Sequence, residues 1–208
     1  MRIIAVSDTH NQLDQIEIPD GDVLIHAGDA TMGGRYQEVY DFASVMAKLP
    51  HRHKIFVAGN HDLGLQDHPE RFEPLLREAG VTYLRDSSVT LDDVKFYGSP
   101  WQPEFHNWAF NLPRGPELGA IWSKIPGDTT VLITHGPPQS VLDLVNRGER
   151  VGCDELLAAV IEKKPKYHIF GHVHECYGAL ERYGVTFCNV STCNKRYAPT
   201  NPPFVIDL

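Results

Sequence analysis

Short apolar stretches recur along the chain, and each ends in Gly, Asp, Asn or His, the pattern of buried strands that feed functional loops. Ile3 to Val6 runs into Ser7-Asp8-Thr9-His10, Val23 to Ile25 into His26-Ala27-Gly28-Asp29, and Ile55 to Ala58 into Gly59-Asn60-His61-Asp62. Val131 to Thr134 ends at His135-Gly136, and Tyr167 to Phe170 at Gly171-His172-Val173-His174. Between these runs the spacing turns helical, most clearly where Val39, Phe42, Ala43, Met46 and Leu49 follow the i, i+3, i+4, i+7 rule. Further helices are predicted after Pro69 and from Asp154, read as an N-cap, through Leu156, Leu157, Val160 and Ile161 to Lys163-Lys164-Pro165. The alternation predicts an α/β fold. The last quarter reads differently: Gly178 to Arg182, Val185 to Val190 and Phe204 to Leu208 look like consecutive strands, with Tyr183-Gly184 as a hairpin turn. No repeat, low-complexity tract or linker divides the chain, so residues 1–208 are expected to form one domain. Gly98 to Arg114 is read as the one long irregular segment, and its aromatic content predicts an ordered, functional loop.

Composition narrows this picture. The chain has 208 residues, 42% of them hydrophobic, enough for one sizeable core. No apolar run approaches the ~18 residues that span a bilayer, and the opening residues are too few for a signal peptide, so a soluble cytoplasmic protein without membrane association is expected. Cys153, Cys176, Cys188 and Cys193 form no C-x-x-C pair and are read as reduced thiols. A net charge of -8 argues against gripping a nucleic-acid duplex through a basic surface. Nucleotide-sized substrates stay allowed, because bound cations attract phosphate locally even on an acidic protein.

The strand ends present Asp8, His10, Asp29, Asn60, His135, His172 and His174, and ligands of open α/β sheets gather at the carboxyl ends of strands. Carboxylate, imidazole and amide oxygen suit Mn, Fe, Zn or Mg, and these loops lack the thiolates of a soft-metal site. Two divalent ions are expected, with Asp29 as the candidate bridge, since one carboxylate can hold two ions about 3.5–4 Å apart. Such a pair lowers the pKa of a bound water, and hydroxide becomes the nucleophile. His61 adjoins Asn60, and one tight turn cannot easily aim both side chains at the same ion. It is therefore read as a general acid, a task suited to an imidazole with an ordinary pKa near ~6.5.

At these residues the chain resembles the calcineurin-like metallophosphoesterase superfamily, whose pattern is D-x-H, G-D, G-N-H-D/E, H and G-H-x-H. The resemblance implies a four-layer αββα sandwich, one metal held by Asp8, His10, Asp29 and His174, and a second held by Asp29, Asn60, His135 and His172. It also implies His61 as the acid. The chain is similar more closely to the small metallophosphoesterase-domain-containing phosphodiesterases, through Gly98-Ser99-Pro100-Trp101-Gln102-Pro103, Asn107-Trp108-Ala109-Phe110-Asn111, Arg150-Val151-Gly152-Cys153, Gly171-His172-Val173-His174-Glu175 and Asn201-Pro202-Pro203. That likeness implies hydrolysis of phosphodiesters, cyclic nucleotides among them, with Mn as activator. Serine/threonine protein phosphatases read G-D-x-x-D-R-G where this chain reads Gly28-Asp29-Ala30-Thr31-Met32-Gly33-Gly34. The phosphate-gripping Arg and the Asp that orients the catalytic His are both missing, so no residue is assigned to orient His61.

Other residues carry blander readings. His26 and His168 lie in apolar strand patterns and are expected as satisfied core imidazoles, while His51 and His53 are expected on a surface loop. Trp101 and Trp108 are candidates to stack on a nucleobase, with packing against the sandwich edge the favoured alternative. Asn189 is a candidate substrate contact whose alternative is a strand-end hydrogen bond. The expected function is hydrolysis of a small phosphodiester, such as a nucleotide, by metal-bound hydroxide. A phosphomonoesterase is the runner-up, and a catalytically silent interaction module is the reading from another class. A dianionic monoester would want an added cation at the site, which Arg114, Arg147 or Arg150 could bring from a loop.

Overall fold

The computed structural model describes residues 1–208. The chain lays down β1 (Arg2–Val6), β2 (Val23–Ala27), α1 (Tyr36–Lys48), β3 (His53–Val57), α2 (Leu63–Asp67), α3 (Pro69–Glu78) and β4 (Val81–Tyr83). It continues through β5 (Ser87–Leu91), β6 (Val94–Ser99), the short β7 (Gln102–Pro103) and β8 (Asn111–Leu112), α4 (Pro116–Trp122) and β9 (Val131–Thr134). It ends with α5 (Asp154–Lys163), β10 (Tyr167–Phe170), β11 (Gly178–Arg182), β12 (Val185–Asn189) and β13 (Phe204–Asp207). No helix is long and apolar enough to cross a membrane.

Two sheets stack face to face. The first is five-stranded in the order β13-β1-β2-β3-β4, and the second six-stranded in the order β11-β12-β10-β9-β6-β5. The alternation of side chains along each strand sorts them into layers. Ile4, Val6, Leu24 and Phe56 turn outward onto α1 and α3 through Val39, Phe42, Met46, Phe72 and Leu76. Ile3, Ala5, Val23, Ile25 and Ile55 turn inward and meet Phe96, Val131, Ile133, Ile169 and Cys188 of the second sheet. Tyr97, Leu132, Phe170 and Phe187 pack outward against Leu118 and Trp122 of α4 and Leu156 and Val160 of α5. The architecture is therefore helix, sheet, sheet, helix: the expected four-layer sandwich.

Strands are parallel inside each sheet and antiparallel at β13, β11 and β5. The carboxyl ends of β1, β2, β3, β9 and β10 thus point the same way, and the loops that follow them meet over one end of the sandwich.

Several sequence readings need correction. The last three strands are not consecutive neighbours: β11 and β12 form the expected hairpin, but β13 crosses to the other sheet and pairs with β1. Tyr183 and Gly184 both take positive φ, as a tight hairpin turn demands. The N-cap of α5 is Cys153, whose Sγ accepts the Leu156 amide, and Asp154 is the first helical residue. Gly98 to Arg114 is not wholly irregular, since Gly98 and Ser99 finish β6 and β7 pairs with β8. Nor is it the one long irregular segment, because the residues between β9 and α5 form another. His51 is buried, with Nε2 facing the Pro19 carbonyl at 3.0 Å, and His53 opens β3, so neither is surface loop.

Candidate metal centre

Each strand end turns sharply into its loop. Asp8, His10, Asp29 and His172 all take positive φ, a conformation that costs a non-glycine residue energy and clusters at functional sites. The neighbouring glycines leave the room these side chains occupy. A Cβ on Gly28 would overlap the His135 imidazole, and one on Gly171 would overlap the side chains of Ser7 and Asp8.

The result is a cluster of donor atoms at two overlapping positions. Asp8 Oδ1 lies 3.3 Å from His174 Nε2, which lies 3.4 Å from His10 Nε2. Asp29 Oδ2 lies 3.4 Å from His135 Nε2 and 3.9 Å from both His10 Nε2 and His61 Nε2. Asn60 Oδ1 closes the second group at 3.0 Å from His135 Nε2. His172 joins Asp29 and His135 within ligand reach. All seven sequence-predicted ligands therefore meet, and Asp29 lies within ligand reach of His10 and His61 on one side and of His135 and His172 on the other.

Backbone carbonyls aim the imidazoles. Nδ1 of His10, His135 and His174 faces the carbonyls of Thr31, Ala27 and Asn194 at 3.3, 3.0 and 3.0 Å. A carbonyl only accepts, so each Nδ1 carries a proton and Nε2 is left for the centre, the tautomer of a metal-ligating histidine. His61 is oriented the same way, its Nδ1–H donating to the Met32 carbonyl at 2.8 Å. That carbonyl fills the place of the Asp missing from the sequence pattern.

The buried field matches a cation. Burial opposes charge on Asp29, yet His135 and the imidazoles beside it hold its carboxyl far below the usual range. Burial likewise opposes charge on His135 and His174, but Asp29 draws the first and Asp8 the second up to about 9. His172, buried beside His135, is pushed down to about 4 and is a neutral donor. A site that pulls protons onto two buried imidazoles would pull a divalent ion more strongly, and its oxygen and nitrogen donors suit Mn, Fe, Zn or Mg.

Asp62, the last residue of the Gly59-Asn60-His61-Asp62 run, has a structural role. It is fully buried and accepts from the amides of Gly59 at 2.8 Å and Thr31 at 3.0 Å and from the Thr31 hydroxyl at 2.8 Å. It fastens the Asn60-His61 loop to the Asp29 loop, and the His61 amide completes the join by donating to Asp29 Oδ1 at 2.8 Å.

A cavity of ≈480 Å³ opens over the centre, bounded by Asn60, His61, His172 and His174 and by Phe105, Arg147, Lys195 and Tyr197. Trp108 lies tilted on His61 with ring centroids 4.0 Å apart, so it backs that imidazole. Trp101 packs elsewhere: its indole N–H donates to Asp86 at 3.0 Å and its ring meets Phe110 edge-on. Asn189 is buried and donates to the Val173 carbonyl at 2.9 Å, which holds the His172-His174 loop. Arg114 donates to the carbonyls of Gly152 and Val151, and Arg150 to buried Asp143, so both brace the wall of the cavity. Lys195 and Tyr197 were missed because no periodicity marks them. Their only signal is position, on the loop after the carboxyl end of β12.

A sandwich of this architecture with such a ligand set at its strand ends defines the class of metallophosphoesterases. The family model for calcineurin-like phosphoesterases matches residues 1–176. Metallophosphoesterase domain-containing protein 1 of Homo sapiens is 44% identical over 230 residues, spanning 100% of this chain and 71% of that protein. UPF0046 protein K07C11.7 of Caenorhabditis elegans is 44% identical over 208 residues, 94% of this chain and 71% of its own. The chain belongs to the calcineurin-like phosphoesterase family. Solved structures share the fold at low identity: TT1561 of Thermus thermophilus, at TM-score 0.59 and 14% identity, covers 90% of this chain and 88% of its own. A protein described as a novel archaeal phosphodiesterase, at TM-score 0.55 and 20% identity, covers 100% and 93%.

Proposed function

We propose that the chain is a binuclear metal-dependent phosphodiesterase acting on small phosphodiesters, cyclic nucleotides among them. The observation that carries the binuclear reading is Asp29 Oδ2, one carboxylate oxygen 3.4 Å from His135 Nε2 and 3.9 Å from His10 Nε2, so that it stands between a member of each proposed ligand set. Asp8, His10, Asp29 and His174 would hold one ion, and Asp29, Asn60, His135 and His172 the other. When bound, the two ions supply the nucleophile by lowering the pKa of water and offset the charge of the phosphate.

The chain's own residues do the rest. Because Met32 holds the Nδ1–H of His61, the opposite nitrogen, Nε2, faces the cavity. As the nucleophilic oxygen bonds to phosphorus and the bond to the leaving oxygen breaks, Nε2–H donates its proton to that oxygen. Trp108 and the buried Asp62 clamp keep the imidazole in place for this transfer.

The diester preference rests on charge. Two divalent ions against Asp8 and Asp29 leave about +2, which a monoanionic diester plus hydroxide brings near neutral. Arg114 and Arg150 are committed to the cavity wall. The likeness to a described phosphodiesterase supports the same reading. Arg147 and Lys195 on the cavity's exposed rim favour the runner-up, a phosphomonoesterase. Bis-p-nitrophenyl phosphate against p-nitrophenyl phosphate, with and without Mn²⁺, tests the reading. A higher kcat/KM on the diester is expected, and a monoester preference of about tenfold or more would reverse the assignment.

A further inference from the structure

A second cavity of ≈260 Å³ adjoins the first, and both are bounded by Phe105, Arg147, Val151 and His172. The two hollows thus meet at His172 of the candidate metal centre and share Phe105, Arg147 and Val151 as common wall. His61 borders the larger hollow and not the smaller. Resting on the phosphodiesterase reading, we infer that the two ester arms of an acyclic diester separate here: the leaving arm lies in the larger cavity and the retained arm, a neutral hydroxyl-bearing group of sugar type, in the smaller.

The assignment of arms follows from the acid. A leaving oxygen must lie within reach of His61, so the arm attached to it extends into the cavity that His61 borders. An in-line displacement keeps the other arm on phosphorus, and the remaining hollow beyond His172 receives it.

The chemistry of the smaller cavity selects the arm. Its arginines are occupied: Arg114 holds the Val151 and Gly152 carbonyls, Arg150 holds Asp143, and Arg147 holds Glu149 at 2.7 Å. A second anionic group would therefore have to displace these partners, and it would face the carboxylates of Glu104 and Glu149 as well. Acceptors remain. Glu104, an exposed residue, stands at the wall, and Gln102, only 2% exposed, has an amide oxygen with no hydrogen-bond partner. A buried acceptor left unpaired is costly, and a hydroxyl donor reaching it directly or through one water would relieve it. The rest of Gln102 is fixed for the purpose. Its amide N–H₂ donates to Asn111 Oδ1 at 3.3 Å, and Asn111 donates to the carbonyls of Phe105 and His106, so one amide relay sets both the floor and the dividing aromatic ring.

The test uses three p-nitrophenyl phosphodiesters that share a leaving group and differ in the retained arm: methyl, phenyl and 2,3-dihydroxypropyl. With Mn²⁺ present, kcat/KM for the dihydroxypropyl ester should exceed that for the methyl ester by about tenfold, the scale of a hydrogen bond to a charged acceptor. Glu104→Ala should reduce that ratio several-fold, and Glu104→Trp, which fills the hollow from an exposed position, should bring it below one. Lys195→Ala, on the larger cavity alone, should leave the ratio where it was. A ratio near one in the unaltered protein, a preference for the phenyl ester, or a ratio that neither Glu104 variant moves would overturn the inference while leaving the phosphodiesterase reading intact. Turnover of p-nitrophenyl phosphate with no turnover of any of the three diesters would instead overturn that reading, and the inference with it.

Discussion

Replacing Asp62 by Asn changes one atom in the clamp that joins the two loops carrying Asp29 and Asn60. The carboxylate Oδ2 accepts the Gly59 amide at 2.8 Å and the Ala30 amide at 3.4 Å, while Oδ1 accepts the Thr31 amide at 3.0 Å and its hydroxyl at 2.8 Å. An asparagine has one carbonyl oxygen, so one set of donors must face an NH₂ group. The least costly orientation keeps the Gly59 side and lets the Thr31 hydroxyl turn to accept. The Thr31 amide is then buried against a donor, which costs about 1–3 kcal/mol, and a charge-assisted bond is lost besides. Relief of repulsion from Asp29, which together with burial raises the Asp62 carboxyl to about 6, returns part of this. A net loss of about 2–4 kcal/mol is expected. For a chain of this size that lowers Tm by roughly 4–16 °C, and urea unfolding followed by circular dichroism should show a lower midpoint at unchanged m. A midpoint shift worth under about 0.5 kcal/mol, the range of an ordinary surface substitution, would refute the clamp.

His61→Ala should retain both metals yet lose about 10²–10⁴-fold on a diester with an alkoxide leaving group and much less on a p-nitrophenyl diester. Steady-state rates on both substrates with metal content measured alongside check this, and loss of an ion would make His61 a ligand. Burial pushes His26 and His168 down to about 3, so the folded chain binds fewer protons than the unfolded chain between pH ~6.5 and ~3. Stability present above pH ~6.5 is therefore lost as pH falls, approaching about 1.4 kcal/mol per pH unit for each imidazole. His168→Gln should flatten that slope in urea titrations between pH 7 and 5, and an unchanged slope would contradict it.

The centre was legible because its ligands follow apolar runs directly, and parallel strands bring such ends together. The layers were legible for a related reason: side chains alternate strictly along β1, β2 and β3, and both faces are apolar. The hairpin of β5 and β6 was not. Its Val89, Leu91 and Val94 are only half buried, and its turn uses Asp92-Asp93, both at positive φ, where Gly is the usual sign. The crossing of β13 also left no local trace, since its partner β1 stands at the far end of the chain and Ile206 alone is buried in the inter-sheet core, with Phe204 packed partly buried against it. The group that orients His61 escaped notice for a plainer reason. It is a backbone carbonyl, at Met32, and every residue has one. Of the paired imidazoles, His26 and His168 each reach a threonine hydroxyl with Nε2, at 2.9 and 2.8 Å, while Nδ1 stays unpaired, so the expected core role holds with only half its hydrogen bonding met.

The shared position of Asp29 is most directly tested by metal stoichiometry. Protein stripped by chelation and titrated with Mn²⁺ should bind two ions per chain, with activity on bis-p-nitrophenyl phosphate rising to its plateau only as the second ion binds. Asp29→Asn should lower both the stoichiometry and the plateau, because the charge shared between the two positions is gone. Full activity at one ion per chain, or an Asp29→Asn variant that still binds two ions and turns over at the original rate, would contradict the binuclear centre.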